Sequence, residues 1–243
     1  MRRLFFLILA LLAVVYCSGC AGTVDKQNDA AKKQSYVVQD VRGKKLSFES
    51  KPQKIISLYV YGDEVLLGLV DHKRIAGLSK WVHDEDLAMG AKEAKDVTKI
   101  AESNPEAILA LKPDLVLLPD SSKPEQISSL EDVGIKVFVY PAASRLSNIP
   151  KTIKAIGGAV GETEQAEKLI AEMQKKISAV EAKVKKMQPE DRKKGLLFLR
   201  FGAIGGKGII FNDIMTAAGV EDCYEAARHT IADKPGTSRI LSK

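Results

Sequence analysis

Short apolar runs alternate with helical patterns over residues 52–160, and this alternation restricts the fold more than any other feature of the chain. Residues 54–58, 114–118 and 136–140 are strand-like, and amphipathic segments lie between them. Strands separated by helices run parallel, because each helix returns the chain to the starting edge of the sheet. The segment 115–118 has no polar residue, so we expect a strand that is buried on both faces. The pattern therefore predicts an α/β fold with a mainly parallel sheet.

A different pattern covers residues 162–187, where apolar residues recur every three or four positions and Glu–Lys pairs occur at i and i+4. A helix of this length extends about 39 Å, more than one small domain needs. We therefore expect it to join two lobes, and a free coiled coil is the alternative. A second α/β segment follows, with a buried strand predicted at 196–199 and a helix at 211–218. From about Glu221 no strand-like run is present, which predicts a poorly ordered tail.

The N-terminus has the features of an export signal. Two arginines precede an apolar run over residues 4–16, which is short for a helix that crosses a hydrocarbon core of about 30 Å. The sequence Ser18-Gly19-Cys20 follows and resembles a bacterial lipobox, so Cys20 is predicted to become the lipidated first residue of the mature chain. An uncleaved membrane anchor is the alternative. In both cases we expect the protein to be exported and held at the outer face of the cytoplasmic membrane.

The predicted organisation has five parts. A signal peptide, a flexible tether, an N-terminal α/β lobe, a linking helix and a partial C-terminal α/β lobe occupy residues 1–19, 20–35, 36–160, 161–188 and 189–243. The tether is predicted from its Gly, Thr, Asp, Lys, Gln and Asn content.

Charge and composition argue against several classes of function. The formal charge of +6 comes from 37 basic and 31 acidic residues that are mixed along the chain, so nucleic-acid binding is not expected. Three cysteines cannot form a disulfide framework that stabilises the fold. The three histidines, His72, His83 and His229, lack the spacing of a transition-metal site. No nucleophile with a plausible base and orienting acid is evident, so we expect no enzymatic activity and no cofactor.

Six segments of the chain together are similar to one known family. They are residues 52–58, 64–69, 74–79, 104–116, 130–140 and 157–173. This combination, within about residues 36–219, resembles the substrate-binding lipoproteins of ABC importers for ferric siderophores, haem and cobalamin. The resemblance implies two α/β lobes with mainly parallel sheets, joined by one long helix, with the ligand in the cleft between them. Family members continue past the position of Gly219, so the second lobe is expected to be incomplete here, through truncation or a shifted reading frame near Glu221.

Candidate ligand-binding residues follow from the sheet, because open parallel sheets bind ligands beyond the carboxyl ends of their strands. The predicted residues at these ends are Tyr59, Tyr61, Lys80, Trp81, Ser121 and Tyr140 in the first lobe, with Arg200 and Phe201 in the second. Aromatic rings offer flat apolar contact to a macrocycle or a catecholate, and the cations can pair with anionic groups.

Glu106 has two interpretations. It lies in the first turn of a predicted helix that begins at Asn104-Pro105, where the helix dipole stabilises an acidic side chain. The resemblance implies instead that it pairs with arginines of the permease.

The expected function is that of a membrane-tethered solute-binding protein, which captures an iron-siderophore, haem or cobalamin-type ligand and delivers it to an ABC permease. Three alternatives remain open at this point: a metal-ion-binding protein of the same architecture, a surface-anchored α/β hydrolase, and a non-functional fragment.

Overall fold

The computed structural model describes residues 35–98, 100, 104–199 and 202–224. The predicted signal peptide, the lipidation site Cys20 and nearly all of the tether lie outside the described residues. The same holds for Arg200, Phe201 and the tail from residue 225. No helix in the described part of the chain is long and apolar enough to cross a membrane.

An antiparallel hairpin precedes a four-stranded parallel sheet. The hairpin consists of β1 (Tyr36–Gln39) and β2 (Lys45–Phe48). The strands of the sheet are β3 (Ile55–Ser57), β4 (Ile75–Gly77), β5 (Leu115–Pro119) and β6 (Val137–Tyr140). Their order across the sheet is β4-β3-β5-β6, and every neighbouring pair is parallel. The prediction of an α/β fold with a mainly parallel sheet is confirmed.

Helices cover both faces of this sheet. They are α1 (Val60–Leu69), α2 (Pro105–Ala110), α3 (Pro124–Asp132) and α4 (Ile149–Val160). All five residues of β5 are buried, and its apolar side chains alternate between two hydrophobic clusters. Leu115 and Leu117 belong to the cluster with α1 and α4, whereas Val116 and Leu118 belong to the cluster with α2 and α3. The absence of polar residues from this strand is therefore explained by burial on both faces.

A tight turn joins α4 to the long helix α5 (Thr163–Val184). Gly161 ends α4 with φ 75°, in the left-handed region that favours glycine. Gly157 lets the two helices approach closely, because a Cβ at this position would lie 2.5 Å from the Cβ of Ala166. The direction in which α5 leaves the first lobe therefore depends on two glycines.

Arg74 holds the same turn against the sheet. Its guanidinium donates hydrogen bonds to the carbonyl oxygens of Val160 (2.6 Å) and Pro52 (2.9 Å) and pairs with the carboxylate of Glu162. One side chain thus connects the end of α4, the start of α5 and the segment before β3.

The long helix has 22 residues and extends about 33 Å. Its first half packs on the first lobe, where Ala166 and Ile170 are buried. Val180, in its second half, is 46% exposed and lies beside Ile214 in a small apolar groove. The helix therefore contacts both the first lobe and the segment that follows it.

The segment after α5 contains two small sheets and one helix. Its elements are β7 (Lys194–Gly195), β8 (Leu197–Leu199), β9 (Gly202–Ile204), α6 (Ile210–Ala217) and β10 (Glu221–Asp222). Strand β7 pairs in parallel with β10, and β8 pairs in antiparallel orientation with β9.

One local expectation for this segment is wrong. The strand expected to be buried is exposed, with Phe198 at 66%, because among the described residues β8 pairs only with its hairpin partner β9. Regular structure also continues past the predicted start of the tail, since residues 221 and 222 form β10. The Asp222 carboxylate accepts hydrogen bonds from the backbone N–H groups of Gly206 (2.8 Å) and Tyr224 (2.9 Å), which fixes this end of the described chain.

Candidate ligand-binding site

The parallel sheet brings four chain segments together at one edge. Because all four strands run in the same direction, the residues that follow β4, β3, β5 and β6 lie side by side in that order. The segments after β4, β3 and β5 carry the sequence-predicted residues Lys80 and Trp81, Tyr59 and Tyr61, and Ser121. Tyr140 is the last residue of β6. The sheet order therefore makes one candidate site out of residues that are distant in sequence.

Tyr59 and Tyr61 form an aromatic ledge at this edge, and we use that name for the pair. Their ring centroids are 6.2 Å apart at an interplanar angle of 54°. The Tyr61 side chain is exposed, and its hydroxyl oxygen is 3.4 Å from Oγ of Ser121. The Tyr59 hydroxyl donates a hydrogen bond to Oε1 of Gln126 at 3.4 Å. The loop after β5 and the helix α3 therefore hold the two rings in place.

Tyr140 supports the ledge from below. Its ring meets Tyr61 edge to face, with centroids 5.9 Å apart, but the residue is fully buried. Its hydroxyl has no hydrogen-bond partner among the described residues and lies 2.4 Å from the position that a Cβ of Gly62 would take. Burial raises the pKa of this phenol well above its ordinary value. In the described structure Tyr140 therefore positions Tyr61 and presents no surface of its own, in contrast to the expectation of a cleft-lining ring.

Lys80 and Trp81 lie on the neighbouring loop after β4. The Lys80 ammonium is 4.7 Å from the centroid of the Trp81 ring, a cation–π contact, and the tryptophan is 47% exposed. This loop is anchored below by Asp63, whose Oδ2 accepts a hydrogen bond from the Ser79 backbone N–H at 3.1 Å.

Asp63 is a functional candidate that the sequence did not reveal. It lies in the first turn of α1, two residues after Tyr61, and is 1% exposed. Burial raises the pKa of its carboxyl to about 6, although hydrogen bonds from Ser57 and Ser79 act in the opposite direction. In the sequence it resembles an ordinary acid at a helix start; only the structure places it beneath two candidate binding segments.

Glu106 is exposed in the first turn of α2, whose N-terminus is capped by the Asn104 side chain accepting from the Ala107 backbone N–H at 2.7 Å. Because α2 leads into the amino end of β5, its first turn lies toward the carboxyl edge of the sheet. Glu106 therefore lies toward the same end of the lobe as the aromatic ledge.

Arg145 and Asp213 form a further contact that the sequence analysis missed. Nε and Nη2 of Arg145 donate to the two carboxylate oxygens of Asp213, both at 2.7 Å, and the Leu146 backbone N–H donates to the same carboxylate at 3.0 Å. These bonds hold the pKa of Asp213 below its ordinary value. They join the loop after β6 to α6. The two residues are 68 positions apart in the sequence, so no local sequence motif could indicate that they pair.

The remaining predicted residues cannot be placed in this site. Arg200, Phe201 and Cys20 lie outside the described residues. In the part of the chain that is described, no three His, Cys, Asp or Glu side chains converge in a group that could hold a metal ion.

Comparison with known proteins identifies the family. The family model described as "Periplasmic binding protein" matches residues 55–243, so the chain belongs to this family of binding proteins, which are not enzymes. The match continues past Gly219, where we expected the family pattern to be lost.

Several curated relatives are similar to the chain. An ABC transporter substrate-binding lipoprotein of Bacillus subtilis, YvrC, is 29% identical over 75% of this chain and 59% of the relative. The vitamin B12-binding protein of Pectobacterium atrosepticum is 26% identical over 71% of this chain and 62% of the relative. The iron(3+)-hydroxamate-binding protein YxeB of Bacillus subtilis is 24% identical over 83% and 62%. The chain thus spans about three fifths of the length of these relatives.

The fold is also that of solved binding proteins. The heme-binding protein HmuT superposes with a TM-score of 0.64 at 22% identity, over 83% of this chain and 67% of that protein. Helicobacter pylori CeuE superposes with a TM-score of 0.61 at 21% identity, over 78% and 62%.

The buried carboxyl of Asp63 predicts an unusual dependence of stability on pH. Because its pKa is raised in the folded state, its stabilising contribution is complete below the ordinary aspartate pKa of about 3.9 and is lost as pH rises through about 6. A difference of about two between folded and unfolded pKa values corresponds to about 3 kcal/mol. Asp63→Asn keeps an acceptor for Ser79 and removes the charge. We expect it to raise the free energy of unfolding at pH 7.5 and to flatten its pH dependence, as measured by urea denaturation.

Asp132→Asn, on the exposed surface of α3, is the matched control and should leave the pH profile of the parent unchanged. A loss of stability at pH 7.5 in Asp63→Asn would mean that the carboxylate is stabilised in the fold, contrary to this argument.

Proposed function

We propose that the chain is the substrate-binding component of an ABC importer and takes an iron-siderophore, haem or cobalamin-type ligand at the carboxyl edge of its parallel sheet. The observation that carries the proposal is the aromatic ledge of Tyr59 and Tyr61, together with the exposed Trp81 in the loop after the neighbouring strand β4. Membership of the periplasmic binding protein family supports it. The relatives named for vitamin B12 and for iron(3+)-hydroxamate support this range of ligands.

The ledge suits a large ligand with a flat or apolar face. Aromatic side chains supply contact area at a low cost in conformational entropy, and their polar ends keep hydrogen-bond partners beside the ligand. Lys80 adds one positive charge next to this surface, which can pair with an anionic substituent. The proposed ligand contacts are therefore Tyr59, Tyr61, Lys80, Trp81 and Ser121, with Tyr140 as their support; Arg200 and Phe201 remain proposed contacts from the second lobe.

Ligand binding can be followed through Trp81, the only tryptophan of the chain. Haemin, cyanocobalamin and a ferric hydroxamate absorb light or carry a paramagnetic metal, so a ligand bound beside the indole should quench its fluorescence. We expect one of the three to quench saturably. Tyr61→Ala should weaken that ligand about tenfold, since a lost aromatic contact is worth about 1 to 1.5 kcal/mol.

The control variant is Leu109→Ala, because Leu109 is an exposed residue of α2 away from the ledge. It should bind as the parent does. An absence of saturable quenching by all three ligands would contradict the proposed ligand range, and an unchanged affinity in Tyr61→Ala would remove the ledge from the binding site.

We also propose that Cys20 carries a lipid anchor at the outer face of the cytoplasmic membrane. The apolar run that ends in Ser18-Gly19-Cys20 supports this, as does the relative named as a lipoprotein. Cys20→Ala should remain unprocessed and incorporate no radioactive fatty acid during metabolic labelling, whereas Cys17→Ala should still be labelled. Equal labelling of the parent and Cys20→Ala would show that lipid is attached elsewhere or by another route.

Glu106 is proposed as a contact with the permease. Its exposure toward the ligand-binding end of the lobe supports this role, because a partner that receives the ligand must approach that end. Glu106→Arg should reduce uptake by cells while leaving Trp81 quenching nearly unchanged, since it alters a docking charge outside the ledge. Asp132→Arg, at the exposed last residue of α3 and so at the opposite end of that helix, is the charge-matched control. Parallel losses of uptake and quenching in Glu106→Arg would instead assign the residue to folding or ligand contact.

A further inference from the structure

A cavity lies behind the aromatic ledge. It has a volume of about 530 Å³ and opens beside Tyr61, between α1, α4, α5 and the first residue of α6. Its walls come from both parts of the chain, because Val65 and Ile153 belong to the first lobe, Leu169 and Met173 to the long helix, and Ile210 to the segment after it. The cavity therefore shares Tyr61 with the aromatic ledge and extends behind it.

The walls of the cavity are almost entirely apolar. Among the described residues no lysine or arginine lines it, and Glu64 and Thr152 each make a hydrogen bond within the protein. Oε1 of Glu64 accepts a hydrogen bond from the Met89 backbone N–H at 2.6 Å. Oγ1 of Thr152 donates to the Pro141 carbonyl oxygen at 2.6 Å. An anionic group in this space would lose its hydration and face the Glu64 carboxylate without gaining a cation from the described walls, whereas an apolar group would exchange water for carbon contacts.

The geometry points to a subsite in which the cavity binds an uncharged apolar group of the same ligand that contacts Tyr61. This inference rests on the proposed function, and it restricts the proposed ligands to those that carry such an uncharged apolar group. The ligand must carry an aliphatic or aryl substituent without charge next to its flat or metal-bearing part. A chelate whose whole periphery is anionic does not fit, because the described walls of the cavity offer it the Glu64 carboxylate and no cation.

Two naphthalene probes that differ by one charge test the subsite directly. N-phenyl-1-naphthylamine is neutral, and 1-anilinonaphthalene-8-sulfonate has the same ring system with an added sulfonate. We expect the neutral probe to bind the parent chain saturably, at least tenfold more tightly than the sulfonate. Equal affinities for the two probes, or no saturable binding of the neutral one, would overturn the proposal.

Variants that fill the cavity from opposite walls locate the probe. Ala143→Phe enlarges a side chain in the loop after β6, and Ile210→Phe does so at the start of α6. Each should weaken the neutral probe at least tenfold, while the matched control Ala179→Phe, at an exposed position of α5, should stay within twofold. Circular dichroism of each variant confirms that it is folded, and two independent walls keep the test decisive if one variant does not fold. Unchanged affinity in a folded Ala143→Phe or Ile210→Phe would place the probe elsewhere.

Displacement separates this proposal from the proposed function. The chelate that quenches Trp81 should displace the neutral probe from the parent chain. A chelate that quenches Trp81 without displacing the probe would overturn the subsite and leave the proposed function standing. Failure of every chelate to quench would count against the proposed function, and the probe titrations would still decide whether the cavity selects uncharged groups.

Discussion

The burial of β5 on both faces is the constraint on which the rest of the structure depends. Its side chains alternate between two hydrophobic clusters, so helices must cover both sides of the sheet. Helices on both sides require crossover connections, and crossovers make the neighbouring strands parallel. Parallel strands in turn end at one edge, which brings Trp81, Tyr61, Ser121 and Tyr140 together. The candidate site is thus a consequence of how one apolar strand is buried.

A second set of contacts fixes the positions of the long helix α5 and of α6 relative to the first lobe. The close approach of Gly157 to Ala166 and the bonds from Arg74 set the direction of the long helix as it leaves the first lobe. The bidentate pair between Arg145 and Asp213 then holds α6 against the loop that follows β6. These two sets of contacts, one at the start of α5 and one at α6, therefore determine the width of the cavity behind the ledge. A change in either set of contacts would alter the cavity without changing a residue that is proposed to contact the ligand.

The sequence predicted features that local patterns encode. The apolar run of β5, the capped helix start at Asn104 and the three-to-four spacing in α5 each depend on neighbouring residues, and each is found in the structure. It could not predict features that depend on what packs against a residue. Asp63 is buried because α1 lies beneath the loop after β4. Phe198 is exposed because, among the described residues, its strand β8 pairs only with β9. Tyr140 is a further example. It was expected to line the cleft, but the residues that pack around it bury it completely, and it supports Tyr61 instead.

The two halves of the candidate site make opposite chemical demands. At the edge of the sheet, Tyr61 and Trp81 keep polar or cationic neighbours, Ser121 and Lys80, so this surface tolerates water and charge. Behind Tyr61 the walls are apolar, and the polar side chains among them are already bonded within the protein. Under the proposed function, a ligand that satisfies both is asymmetric, with a polar or metal-bearing face and an uncharged apolar one. Selection by this site would therefore act on the distribution of charge over the ligand as well as on its size, because a negative charge is penalised in the cavity, beside Glu64, more than at the edge, beside Lys80.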